Sequence, residues 1–173
     1  LAFTDITTGE CSVTELPLER LELELGRLQP VEVLVPAGGV VPAGTDRTIT
    51  TLDPYWFEQD VALRLLLEHF QVATLEGFGC AGLPRAIEAA GALVHYLQET
   101  EKQSLRQVTS LSTYSTESFM TLDVQTVRNL ELFEGGRWGA ADLSLLSILD
   151  ETKTAMGGRL LRHWLGCPLL DVS

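Results

Sequence analysis

The sequence has little positive charge, few cysteines and no long apolar run, and each shortage excludes something. Its 173 residues carry 12 Lys and Arg against 24 Asp and Glu, a formal net charge of −12. A field of that sign repels a polyanion, which excludes nucleic-acid binding by broad phosphate neutralisation. The 3 cysteines, Cys11, Cys80 and Cys167, are odd in number, far apart and outside any CxxC. That pattern suits neither a disulfide framework nor a thiolate metal site; it predicts reduced, buried thiols in a cytoplasmic setting. No stretch reaches the roughly 18 continuous apolar residues that a membrane span needs. The opening Leu1-Ala2-Phe3-Thr4-Asp5 lacks a basic n-region and an initiator Met, and Asp171-Val172-Ser173 is not an obvious stop. An internal piece of a longer protein is the expectation. The chain also lacks GxxxxGK[ST], which argues against ATP binding by this segment.

What is present suffices for a core without covalent staples: 45% of residues are hydrophobic. The length fits one domain, or one plus part of another. Leu1 to Thr7 is rich in strand formers, Thr8-Gly9 marks a turn, and Cys11 to Leu16 alternates, so a hairpin is predicted. Leu18, Leu21, Leu25 and Leu28 form one helical stripe, with Glu19, Glu22 and Glu24 expected to face water. Pro30 stops that helix, and Val31–Val35 and Thr48–Leu52 read as strands. Asp53-Pro54 introduces a helix from about Trp56 to Phe70, with Asp60, Arg64 and Glu68 in one charged line at i, i+4 and i+8. Another helix begins at Pro84, and its small residues Ala86 to Val94 suggest close approach to a neighbour.

A polar connector at Ser110–Glu117 marks a shift in composition. Residues 1–118 hold 17 acidic and 7 basic side chains, residues 119–173 hold 7 and 5. Beyond it, Phe119–Leu122 looks extended, Asp123 can cap a helix through Glu134, Leu143–Leu149 is apolar, and a helix runs from Thr154 to Gly166. On this last helix Met156, Leu160, Leu161, Trp164 and Leu165 share one side. Two regions are expected: a complete α/β domain and the opening of an all-α one.

Three kinds of chemistry can be sought in the residues. Gly77-Phe78-Gly79-Cys80-Ala81-Gly82 is a literal GxGxxG, preceded by the strand-like Val72–Leu75 and followed by Glu99 and Glu101. In a dinucleotide site, though, the helix begins within the glycine run so that its free N–H groups meet the pyrophosphate. Pro84 places the helix start after the last glycine and cannot donate, which favours a plain turn. His69, His95 and His163 each sit in a helical pattern, none in HExxH, and read as helix-surface or interhelical histidines. Asp5, with Asp46, Asp53 and Asp60, could contribute to a metal-dependent nuclease set, though spacing does not single them out. Arg128, Arg137, Arg159 and Arg162 lie among seven acids in 119–173 and read as solvated helix faces. The helix bearing Asp60, Arg64 and Glu68 has Leu63 and Leu67 on one side of that line, Val61 and Leu65 on the other. It is either packed on several sides or partly a docking surface.

Taken in order, several segments resemble a known family. Phe3-Thr4-Asp5-Ile6-Thr7-Thr8-Gly9-Glu10 and Leu28-Gln29-Pro30-Val31-Glu32-Val33-Leu34-Val35-Pro36 are similar to the start of the connector domain of the MutS family of DNA mismatch-repair proteins. So are Gly77-Phe78-Gly79, Ala89–Leu93 with Tyr96, and Tyr114-Ser115. Leu122-Asp123, Arg128–Leu132, Leu145–Thr152, Met156–Leu165 and Pro168–Asp171 resemble the entry to the family's lever and core domain. The likeness covers essentially the whole chain.

The resemblance implies a ribonuclease H-like connector without nuclease activity over 1–118, a mixed sheet with flanking helices. At 119–173 it implies the first helices of the lever and core domain. It further implies a full-length homodimer that binds mismatched DNA, with ATP and Mg held by an ATPase domain and an aromatic wedge in another domain. A strand that should hairpin with Leu1–Thr7 is expected to be missing or cut short. By position, the helix carrying Arg64, Leu65 and Glu68 is the candidate contact for the downstream factor MutL. Three classes stay in view: a non-catalytic connector and interaction module, a metal-dependent nuclease of the same fold, and a nucleotide-binding regulatory domain.

Overall fold

The alternating residues at the start of the chain form the expected hairpin. In the computed structural model, β1 (Ala2–Asp5) pairs antiparallel with β2 (Glu10–Val13), in the register Ala2↔Val13 to Asp5↔Glu10. Gly9 closes the turn at φ 75, its N–H donating to the Asp5 carbonyl at 2.8 Å. A Cβ there would lie 2.5 Å from the Gln107 carbonyl oxygen, so the position needs glycine for space as well as for conformation. The structure describes residues 1–6, 8–41, 47–100, 105–116, 119–120, 122–136 and 143–170. Of the residues singled out from the sequence, Asp46, Glu101 and Arg137 lie outside them.

The chain divides into two units: Leu1–Leu18 with Pro30–Thr116, and Glu19–Gln29 with Glu117–Ser173. In the first unit β3 (Glu32–Pro36) and β4 (Thr48–Leu52) pair in parallel. They form a sheet of their own rather than joining the hairpin. α2 (Gln59–Phe70) and α3 (Pro84–Thr100) supply most of the core, and β5 (Ser112–Thr113) adds parallel to β2. The result is mixed α/β, with a small mixed sheet in the order β1-β2-β5. β5 lies inside the stretch read as a polar connector. The sequence concealed it because its outward Ser112 is satisfied laterally, Oγ to Oγ of Ser12 at 2.7 Å, while Leu111 beside it is buried.

Two further expectations are corrected in this unit. The helix expected from Trp56 starts at Gln59. Asp53 accepts the Tyr55 N–H at 2.9 Å and sets a short 3-10 turn over Pro54–Phe57, and extended Glu58 separates it from α2. The strand-like Val72–Leu75 is not a strand. Left-handed Gln71 (φ 53) ends α2, and the Val72 N–H turns back to the Leu67 carbonyl at 3.2 Å, leaving no extended run to pair.

The small residues of α3 do what their size suggests. Gly91 packs against Ala62 of α2 so closely that an added Cβ would lie 2.3 Å from the Ala62 Cβ. The core around this contact includes Val13, Leu66, Ile87, Ala90 and Val94, all below 5% exposed.

The second unit holds most of α1 (Leu18–Leu28), with α4 (Val124–Asn129), α5 (Leu145–Leu149) and α6 (Ala155–Gly166). Each later helix has a side-chain cap. Asp123 accepts the Thr126 N–H at 2.6 Å, Ser144 that of Ser147 at 3.2 Å, and Thr154 that of Gly157 at 3.0 Å. α4 stops at Asn129 rather than Glu134 because Glu131 takes φ 50 and the Leu132 N–H bonds back to the Val127 carbonyl at 3.2 Å. An isolated antiparallel bridge joins Phe119 and Leu169.

Glu24, expected in water, is buried. Its carboxylate takes both Nε contacts of Arg27 at 3.1 Å together with Nη2, and Arg27 Nη1 donates to Cys167 Sγ at 2.8 Å. Burial alone would weaken the guanidinium charge; the bonds to Glu24 and Cys167 more than offset it and hold Arg27 above the ordinary arginine value. Leu18, read as part of the apolar stripe, is 62% exposed.

Candidate functional site

The glycine-rich turn at Gly77–Gly82 is the most specific of the sequence motifs. Gly79 takes φ 75 to close a short 3-10 turn over Glu76–Phe78, and its neighbour Phe78 accepts from Thr113 Oγ1 at 2.8 Å. α3 begins at Pro84, beyond the glycines. Its first free donors are already used: Glu15 Oε1 accepts the N–H of Arg85 at 2.6 Å and of Ala86 at 3.3 Å. The chain's own carboxylate therefore sits where a pyrophosphate would have to go. Sequence reasoning missed this cap, since the two ends are 70 and 71 residues apart and no local spacing reports it. Replacing Glu15 with alanine is expected to cost about 1 kcal/mol of stability and to fray the first turn of α3. Amide exchange at Arg85 and Ala86 measures it.

Among the described residues, Asp5, Asp53 and Asp60 stand on separate elements. Asp5 ends β1, Asp53 caps the 3-10 turn before α2, and Asp60 stands on the exposed first turn of α2. Among the described residues, no group of three or more His, Cys, Asp or Glu is placed to hold a metal ion. Glu99 lies exposed near the end of α3.

Two of the three histidines have packing partners of an ordinary kind. The His69 Nε2 lies 2.8 Å from the Val108 carbonyl, and His95 stacks on Trp56 with 3.5 Å between ring centres; His163 is exposed on α6. Burial, with Glu10 adding, pushes the Cys11 thiol up to about 12, and burial also raises Cys80. Both remain protonated and unreactive at neutral pH. Arg162 lies over the Phe133 ring at 4.2 Å, while Arg128 and Arg159 are on the surface.

The remaining candidate is the outer side of α2. Val61, Ala62 and Leu66 are buried, and Leu63, Leu67 and Phe70 pack against the core. Both flanks of the helix are thus engaged. Asp60, Arg64 and Glu68 remain in an exposed line, as the spacing requires. Leu65 lies between them, half-buried and outside the core cluster. Arg64, Leu65 and Glu68 are brought together at i, i+1 and i+4: two opposite charges beside an incompletely covered leucine. Such a surface can take a partner by charge complementarity around a small apolar centre. No helix among the described residues is long and apolar enough to cross a membrane.

Comparison with known proteins bears on the whole chain. Residues 1–110 match the family model described as MutS domain II, and residues 125–173 match MutS domain III. The chain is 47% identical over 175 residues to a protein of Dehalococcoides mccartyi (strain CBDB1) named DNA mismatch repair protein MutS, covering 100% of this chain and 20% of that protein. Proteins of the same name from Thermosynechococcus vestitus and Methanococcoides burtonii are 44% and 39% identical, each across 100% of this chain. The chain spans 22% and 21% of their lengths.

Proposed function

The chain belongs to the MutS family of DNA mismatch-repair proteins, and on that premise we propose that it is the connector, residues 1–118, with the opening of the core domain, residues 119–173. In this reading the connector is a ribonuclease H-like domain without nuclease activity. It works in the cytoplasm, links mismatch recognition to ATP hydrolysis in the full-length homodimer, and offers the outer face of α2 to a MutL-type protein. The exposed Arg64 and Glu68 beside half-buried Leu65 are the observation that carries the docking reading. A net charge of −12 suits a protein contact better than a polyanion, so mismatched DNA is met through other parts of the homodimer. ATP and Mg belong to the ATPase region of the full-length protein. The residues here do not fit them, since the glycine turn precedes a helix end already capped by Glu15.

The test is charge reversal in the full-length protein, Arg64→Glu with Glu68→Arg. Charges at the rim of an interface act mainly on encounter, so association with a MutL-type protein is expected to slow about tenfold. Binding to mismatched DNA should be unchanged. Recruitment at the wild-type rate would remove α2 as the docking element.

A further inference from the structure

The helix α1 belongs to one family region by sequence and to the other unit by packing. Its residues fall inside the span 1–110 matched by MutS domain II, yet Glu19–Gln29 pack with the unit that contains the span 125–173 matched by MutS domain III. The chain therefore passes between units after Leu18, after Gln29 and after Thr116. We infer that α1 is a clamp by which the connector's chain is held in the second unit, with Arg27 as its locking residue.

The geometry of Arg27 supports that role. Three of its nitrogens are engaged: Nε and Nη2 by Glu24 on the same helix, and Nη1 by Cys167 just beyond α6 at 2.8 Å. Glu24 and Cys167 are both 7% exposed, and Leu25 beside them is 3% exposed. A guanidinium in such surroundings is not readily given up, because removing one partner leaves the other charged and buried. The clamp's exits are stiff: Pro17 precedes α1, and Gln29 at φ 47 with Pro30 follows it. A displacement of the first unit therefore reaches the second through α1 on two strands of chain, in addition to the passage after Thr116. This inference goes beyond the docking reading and does not depend on any partner.

Amide hydrogen exchange on the 173-residue chain tests it, with two variants. In Gly91→Ala, which disturbs the contact of α3 with Ala62, exchange is expected to quicken across α3 while α1 and α6 stay protected. In Arg27→Met, α1 amides are expected to exchange roughly a hundredfold faster while those of α3 hold. Cys167 should then react with a disulfide reagent while Cys11 and Cys80 stay silent. If α1 quickens in step with α3 in Gly91→Ala, it belongs to the first unit and the clamp is wrong. If α1 keeps its protection in Arg27→Met, Arg27 locks nothing. Loss of protection through the whole chain in both variants also overturns the inference, since a separable clamp would not carry α3 with it.

Discussion

Replacing Gly91 with alanine is expected to destabilise the first unit by about 3 kcal/mol, at the upper end of what an overpacked core usually costs. Ala is the better helix former, so propensity alone would favour the change. Space decides against it. The new methyl carbon would lie 2.3 Å from the Ala62 Cβ and 2.4 Å from its Cα, and both are fixed parts of a neighbouring helix. No flexible side-chain end is available to move aside, so α2 and α3 must separate. That separation loosens the dispersion contacts of Leu66, Ala90 and Val94 around the crossing. Urea unfolding followed through Trp56, which stacks on His95 of α3, measures the loss once Trp138 and Trp164 are replaced by phenylalanine. Adding Ala62→Gly to Gly91→Ala should recover part of the stability. A change below about 0.5 kcal/mol would show that the helices do not cross this closely.

Leu66→Ala is expected to cost about 3 kcal/mol or more, since the side chain is 0% exposed and its removal leaves a cavity between α2 and α3. The neighbouring substitution Leu65→Ala should cost under about 1 kcal/mol, because that side chain is half-buried and outside the core cluster. The pair separates the two roles of one helix. Leu66 maintains the fold; Leu65, with Arg64 and Glu68, belongs to the surface proposed for docking. Thermal or urea unfolding of both variants gives the stability difference. Equal losses would mean that Leu65 is a core residue and that the outer face of α2 is narrower than proposed.

Much of the fold could be read from local pattern because local chemistry determines it. The hairpin follows from alternation around Thr8-Gly9, α3 begins at Pro84, and α6 begins behind the cap of Thr154. The charged line Asp60–Arg64–Glu68 also stands where helical spacing puts it, exposed along α2. What escaped depends on partners distant in sequence. Glu24 reads as a solvated residue until Arg27, three positions on, is seen turned toward Cys167, 140 residues away. β5 is two polar residues whose strand character comes wholly from β2. The cap on α3 is Glu15, a carboxylate from the loop after β2. In each case the sequence holds the residue and the fold supplies its reason.

For the site, the same division holds. Helical periodicity can place Arg64, Leu65 and Glu68 near one another, but it cannot say whether Leu65 is covered. That depended on which flanks of α2 the core occupies.

The most direct measurement is nuclear magnetic resonance of the isotopically labelled chain, titrated with a MutL-type protein in the absence of nucleotide. In the chain alone Asp60, Arg64 and Glu68 stand exposed on the outer face of α2, so binding should need no ATP. Amide shifts are expected to concentrate on Gln59–Phe70, strongest around Arg64, Leu65 and Glu68. Shifts confined to α6 or to the β3–β4 sheet, with α2 silent, would contradict the docking reading.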